Sequence, residues 1–112
     1  MQFRQGLGKS IHFYGKAPTA RTDGTPITEG EISKYVRFAI HEGSPVETMD
    51  VQLVSGEFSE VLDVDAVGVG IYTYWYHTVD SEGRESGDSD KVSFEVAGPL
   101  AQPNPPSGIY IT

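Results

Sequence analysis

Apolar residues in this chain come in short runs that alternate with polar ones, and glycine, proline or Asp-Gly breaks the runs apart. No window of about eleven residues carries the 3.6-residue stripe of an amphipathic helix. A period of two belongs to strands half-buried on one face, and many such runs separated by turn residues specify a sandwich or a barrel. Residues 10–14 place Ile11 and Phe13 on one face and His12 and Tyr14 on the other. Pro18 and the polar stretch 19–26, with its Asp23-Gly24 turn, end that run. In residues 32–40, Val36, Phe38 and Ile40 alternate with Arg37 and Ala39. Residues 47–54 align Met49, Val51 and Leu53, and residues 58–64 follow the Ser55-Gly56-Glu57 turn. Residues 71–79 are the strongest run, rich in aromatic and β-branched side chains that suit a pleated surface. Residues 91–96 close the series with Val92, Phe94 and Val96.

From Gly98 the texture changes. Pro99, Pro103, Pro105 and Pro106 make an extended, polyproline-like stretch that ends in Gly108-Ile109-Tyr110-Ile111-Thr112, a strand-like run. The chain therefore divides into an N-terminal arm (1–9), a sandwich (10–97) and a C-terminal arm (98–112). At 112 residues it has the size of one domain and needs no staple to fold.

Charge and composition exclude several function classes. Cysteine is absent, which removes disulfide frameworks, thiolate metal sites and thiol catalysis. A formal charge of -8, from 16 acidic and 8 basic residues, is poorly matched to nucleic acid and to anionic membranes. No apolar segment follows Met1-Gln2-Phe3-Arg4-Gln5-Gly6, so no signal peptide is expected, and no run approaches the length of a membrane helix. His12, His41 and His77 lie on different strands or loops without ligand spacing. No Gly-x-Ser-x-Gly elbow is present. The acidic stretch of Asp80, Glu82, Glu85, Asp88 and Asp90 has the oxygen ligands that calcium needs, but it lacks the EF-hand pattern and falls in a solvated turn. The expectation is a non-enzymatic chain with no metal and no cofactor.

Four segments resemble fibronectin type III domains of bacterial and phage type. Lys16-Ala17-Pro18-Thr19 with Thr22-Asp23-Gly24-Thr25-Pro26-Ile27 is similar to the link between strands B and C, and Ile32-Ser33-Lys34-Tyr35-Val36 to strand C. Gly70-Ile71-Tyr72-Thr73-Tyr74, running into Val79-Asp80-Ser81-Glu82-Gly83-Arg84, is similar to strand F and its turn. Ser89-Asp90-Lys91-Val92-Ser93-Phe94-Glu95-Val96 is similar to strand G. The resemblance implies an all-β fold: a two-sheet antiparallel β-sandwich, an Ig-like Greek key of about seven strands. It also implies that Tyr72 is the family's corner tyrosine, with its hydroxyl bonded back to the chain. Two departures stand out. The family's strand B tryptophan is replaced by Phe13-Tyr14-Gly15, so Tyr74 and Tyr76 are expected to fill the core. A proline-led strand A is missing at the N-terminus, while Asn104-Pro105-Pro106-Ser107-Gly108-Ile109-Tyr110-Ile111 has its form at the other end.

The family pattern turns Tyr72, Tyr74 and Tyr76 inward as structural residues. That leaves Trp75 and His77 facing out beside Tyr35 and Arg37, a composition typical of interface hot spots. The same patch suits stacking on sugar rings, and a covering arm or loop would conceal it. Ile109, Tyr110 and Ile111 complete the expected interface residues. The C-terminal arm reads in three ways: as an edge strand of its own domain or of a neighbour, as the beginning of a following domain, or as an unstructured tail. The expected function is that of a structural and interaction module whose partners are proteins: further copies of itself or other subunits. By analogy with phage-type members, the setting is the virion, as a head decoration or tail subunit. The alternatives are a spacer or carbohydrate-binding module of a secreted enzyme or adhesin and, more remotely, a calcium-dependent adhesion domain.

Overall fold

A computed structural model describes residues 1–112, the side chain of Glu29 excepted. Eight strands appear in the order β1 (Gln2–Arg4), β2 (Ser10–Gly15), β3 (Ile32–His41), β4 (Glu47–Val51), β5 (Leu53–Val54), β6 (Glu57–Asp63), β7 (Gly70–Asp80) and β8 (Val92–Ala97). Two single 3₁₀ turns, Glu29–Glu31 and Val64–Ala66, are the only helical pieces among the described residues. One sheet has five strands in the order β1-β8-β7-β3-β4, and the other has three, β2-β6-β5. The fold is all-β and sandwich-like, with the two sheets sharing one core.

Every ladder is antiparallel except that of β1, which runs parallel to β8. Residues 1–9 are therefore not simply an arm. Phe3 turns inward and meets Phe94 edge-on, with ring centres 6.3 Å apart. The C-terminal arm, expected to end in a short strand, forms none: residues 98–112 have no regular structure, and Ile109, Tyr110 and Ile111 stand 82%, 80% and 99% exposed.

The core is predominantly aromatic. Tyr72, Tyr74 and Tyr76 of β7 point to the smaller sheet and are at least nine-tenths buried. Phe13 of β2 packs on Tyr74 at 5.0 Å and on Phe94 at 5.5 Å. Phe58 of β6 stacks on Tyr76 at 4.0 Å and meets Tyr35 edge-on at 5.2 Å. Such pairs add to the stabilisation that burial of their area already gives. Three of the buried tyrosine hydroxyls, those of Tyr35, Tyr72 and Tyr76, have hydrogen-bond partners. Tyr72 donates to the Gly68 carbonyl at 2.6 Å, and Tyr35 donates to the Gly56 carbonyl at 2.7 Å.

Gly56 lies in the two-residue turn that joins β5 to β6. Ser55 and Gly56 both take positive φ, 53° and 78°, as a tight hairpin turn of type I′ demands. The Tyr35 hydroxyl thus ties the larger sheet to the turn of the smaller one.

Gly15, at the end of β2, is required for a different reason. A Cβ there would fall inside the ring of Phe58, which is itself wedged against Tyr76 and Tyr35. Gly15→Ala is expected to destabilise the fold by about 1–3 kcal/mol, the usual cost of overpacking a filled core. Urea unfolding of Gly15→Ala, Phe58→Leu and the double variant measures it. The double variant should lose less than the sum of the two single losses, and strict additivity would contradict this packing.

Candidate interaction surfaces

The outer face of the five-stranded sheet is built on β3 and β7. Their register sets Phe38 opposite Trp75 and Val36 opposite His77, while Tyr35 and Arg37 pair on the inner face with Thr78 and Tyr76. The expected surface patch of Trp75 with Tyr35 and Arg37 is therefore not assembled. Side chains alternate across a strand, so Tyr35 and Arg37 share the face opposite to that of Phe38.

Each of these residues has a definite environment. Tyr35 is only 2% exposed in the core. Arg37 reaches across the interior, donating from Nη1 to Glu60 Oε2 at 3.0 Å with its guanidinium 4.6 Å above the Tyr74 ring. Glu60 Oε1 accepts from the Tyr76 hydroxyl at 2.8 Å. Burial first, and then that hydrogen bond, push the Tyr76 pKa far above the usual phenol value. Trp75 faces outward but is only 7% exposed. Its ring is stacked on Phe38 at 5.7 Å and capped by Lys91 Nζ at 4.5 Å.

The cover over this face comes from the strand-like lead-in to β8. Ser86 N and Ser89 N donate to the Thr78 and Tyr76 carbonyls, at 2.8 and 3.0 Å. Their hydroxyls in turn accept from Thr78 N and Tyr76 N, both at 2.8 Å. Serine oxygens thus replace backbone carbonyls in the ladder and hold residues 85–91 against β7. That placement brings Glu85 and Asp88 to His77, whose ring lies 4.2 Å from that of Phe38. His77 Nδ1 meets Glu85 Oε2 at 2.6 Å, and Nε2 meets Asp88 Oδ1 at 2.7 Å.

A carboxylate at each ring nitrogen favours the doubly protonated imidazolium. Desolvation lowers the His77 pKa, but the hydrogen bonds to Asp88 and Glu85 outweigh it and hold the pKa above the ordinary value. The hydrogen bond from His77 leads the causes that hold Asp88 below its ordinary value. Neither carboxylate stood out in the sequence as a partner of His77, since the pairing depends on how residues 85–91 lie along β7.

A cleft of about 400 Å³ lies between the 18–27 loop and the end of β7. Its charged groups already have partners within the protein, Asp23 accepting from Thr25 and Glu85 meeting His77. Arg21 bridges Asp80 at 2.9 Å and Glu31 at 3.0 Å. Asp80 also accepts from Arg84 Nε at 3.0 Å and from the Glu82 and Arg84 backbone amides. The hydrogen bond from Arg21 is the leading cause that holds the Asp80 pKa down at about 2. This is a stapled loop junction rather than a set of groups aimed at a ligand. Among the described residues, no group of three or more His, Asp or Glu is arranged to hold a metal ion.

Of the expected interface residues, Ile109, Tyr110 and Ile111 are the ones that stand open to solvent, as one continuous run on the arm. The chain matches no family model, no curated protein and no solved structure in these comparisons.

The His77 clamp carries a pH signature. A raised histidine pKa adds stability below the ordinary histidine value, and that contribution is lost as pH rises through the folded-state pKa. A lowered Asp88 pKa adds stability above the ordinary carboxylate value, lost as pH falls. The clamp is therefore strongest between about pH 4 and 6.5. The effect is small because Glu85 and Asp88 are 45% and 53% exposed. Melting scans from about pH 6 to about pH 9 should show the wild type losing more stability than His77→Gln, and parallel profiles would contradict the clamp.

Proposed function

We propose that this chain is a non-enzymatic structural and interaction module, an accessory subunit of a phage particle that binds neighbouring subunits through its C-terminal arm. The observation that carries the reading is the arm itself. Residues 98–112 carry no charged side chain in a chain of formal charge -8, and they end in three consecutive exposed apolar residues. Soluble domains seldom leave such a run open unless something covers it. By contrast, Trp75 is already covered, and the charged groups of the cleft beside the 18–27 loop have partners within the body.

The strand order supports a fibronectin type III-like scaffold. With β2, β3, β7 and β8 read as strands B, C, F and G, the larger sheet contains the G-F-C neighbours and the smaller one pairs B with β6, the position of strand E. The phage setting rests on the resemblance of the four segments to phage-type members.

The proline content of the arm favours a second reading. Pro99, Pro103, Pro105 and Pro106 make a semi-rigid linker, as in a spacer module of a larger secreted enzyme or adhesin. Light scattering on the full chain and on a chain ending at Leu100 separates the two. The subunit reading expects the full chain to grow in mass with concentration over about 1–100 µM, a range in which affinities of ordinary interfaces register, while the shortened chain stays monomeric. Two monomers throughout would favour the spacer.

A further inference from the structure

The seat for the arm is legible in the sheet edges. The described strands leave four edges: β1 and β4 on the larger sheet, β2 and β5 on the smaller. β1 has three residues and β5 two, too short to template a ladder. β4 carries Glu47 and Asp50. β2 is different. Its six residues, Ser-Ile-His-Phe-Tyr-Gly, hold no acidic side chain, and Lys9 and Lys16 flank them. β2 pairs with β6 alone, so the backbone groups on its other side are unpaired among the described residues. An edge of this kind is a template for another strand.

The arm matches that edge in length, pattern and charge. After Pro106 no proline follows, so Ser107 to Thr112 keep every amide donor that a ladder needs. Six residues at roughly 3.3 Å each span the length of β2. Ile109 and Ile111 fall on one face and Tyr110 on the other. Added to β2, the isoleucines extend the inner row of Ile11 and Phe13, and Tyr110 lies beside the exposed His12 and Tyr14. An uncharged segment meets no repulsion from an acidic body.

The same geometry indicates whose arm it is. The arm leaves its own body next to the start of β2. Ala97 accepts from the Gln5 amide, Asp65 accepts from the Gly6 and Gly8 amides, and Lys9 accepts from the Val64 amide. A return onto its own β2 would need an immediate reversal. Residues 99–106 instead hold four prolines, which favour an extended spacer of roughly 25 Å. The structure accordingly stretches to 83 Å along one axis and only 29 and 19 Å along the others.

We infer that residues 107–112 add as a strand to the free edge of β2 in a second copy of this chain, linking copies head to tail. The inference rests on the subunit reading above and deepens it. Each copy has one donor arm and one acceptor edge, so the contact is heterologous and builds rings or open chains of copies.

The test uses a peptide of residues 104–112 added to the chain ending at Leu100, read by amide hydrogen exchange. The peptide should bind and slow exchange in residues 10–15 by about tenfold or more, as newly paired amides are protected. An Ile111→Asp peptide should bind at least about tenfold more weakly. In the full chain, the same amides should gain protection as concentration rises. Failure of the peptide to bind, or protection of β4 in place of β2, overturns the inference. Full chains that associate while residues 10–15 stay open overturn the inference and leave the subunit reading intact. Full chains that remain monomeric overturn both.

Discussion

Glu60 is the charge around which the interior is organised. It lies on β6 with 11% of its side chain exposed, and its two oxygens take Arg37 Nη1 and the Tyr76 hydroxyl from the opposite sheet. A carboxylate in such a place is tolerable only when its oxygens are hydrogen-bonded and its charge is paired. Arg37 meets both needs, and its guanidinium also rests on the Tyr74 ring. These contacts fix the relative placement of β3, β6 and β7. With them the stack of Phe58 on Tyr76 and the contact of Phe13 with Tyr74 fall into register. The arrangement has one imperfection: Arg37 Nε is buried without a partner.

The interior so formed needs nothing from the last fifteen residues. Phe3 on β1 and Phe94 on β8 finish one end of the aromatic layer, and the Tyr35–Gly56 hydrogen bond secures the other. The outer face of the larger sheet is likewise supplied from within, as Lys91 caps Trp75 and the carboxylates of Glu85 and Asp88 hold His77. The outer face of the smaller sheet is left open by contrast, with Tyr14 72% and Val61 61% exposed.

Much of this was legible in the order of residues, and the misses share a cause. Alternation located β2, β3, β7 and β8 and put Tyr72, Tyr74 and Tyr76 on one face, because that pattern follows from local backbone geometry. The resemblance supplied the choice of face. β1 escaped notice because Gln2-Phe3-Arg4 is too short to alternate, and its parallel pairing with β8 comes from a distant part of the chain. Residues 47–54 read as one strand but divide into β4 and β5, which join different sheets. The orientation of Arg37 went wrong for a similar reason. A charge at a strand position reads as solvent-facing, and only the partner Glu60 from the other sheet makes the inner face acceptable. A covering arm or loop over Trp75 is among the sequence's readings, but not which segment forms it, because serine hydroxyls, which carry no strand signal, bind residues 85–91 to β7.

The body is complete without its arm, since residues 98–112 supply no strand and no core side chain. Thermal melting of the full chain and of the chain ending at Leu100 tests this directly, at a concentration where both are monomeric. Equal melting temperatures are the predicted result, since the residues removed make no strand in the structure. A loss of about 5 °C or more on truncation, roughly 1 kcal/mol for a domain of this size, would mean that the arm closes its own sandwich, and would contradict a body complete without it.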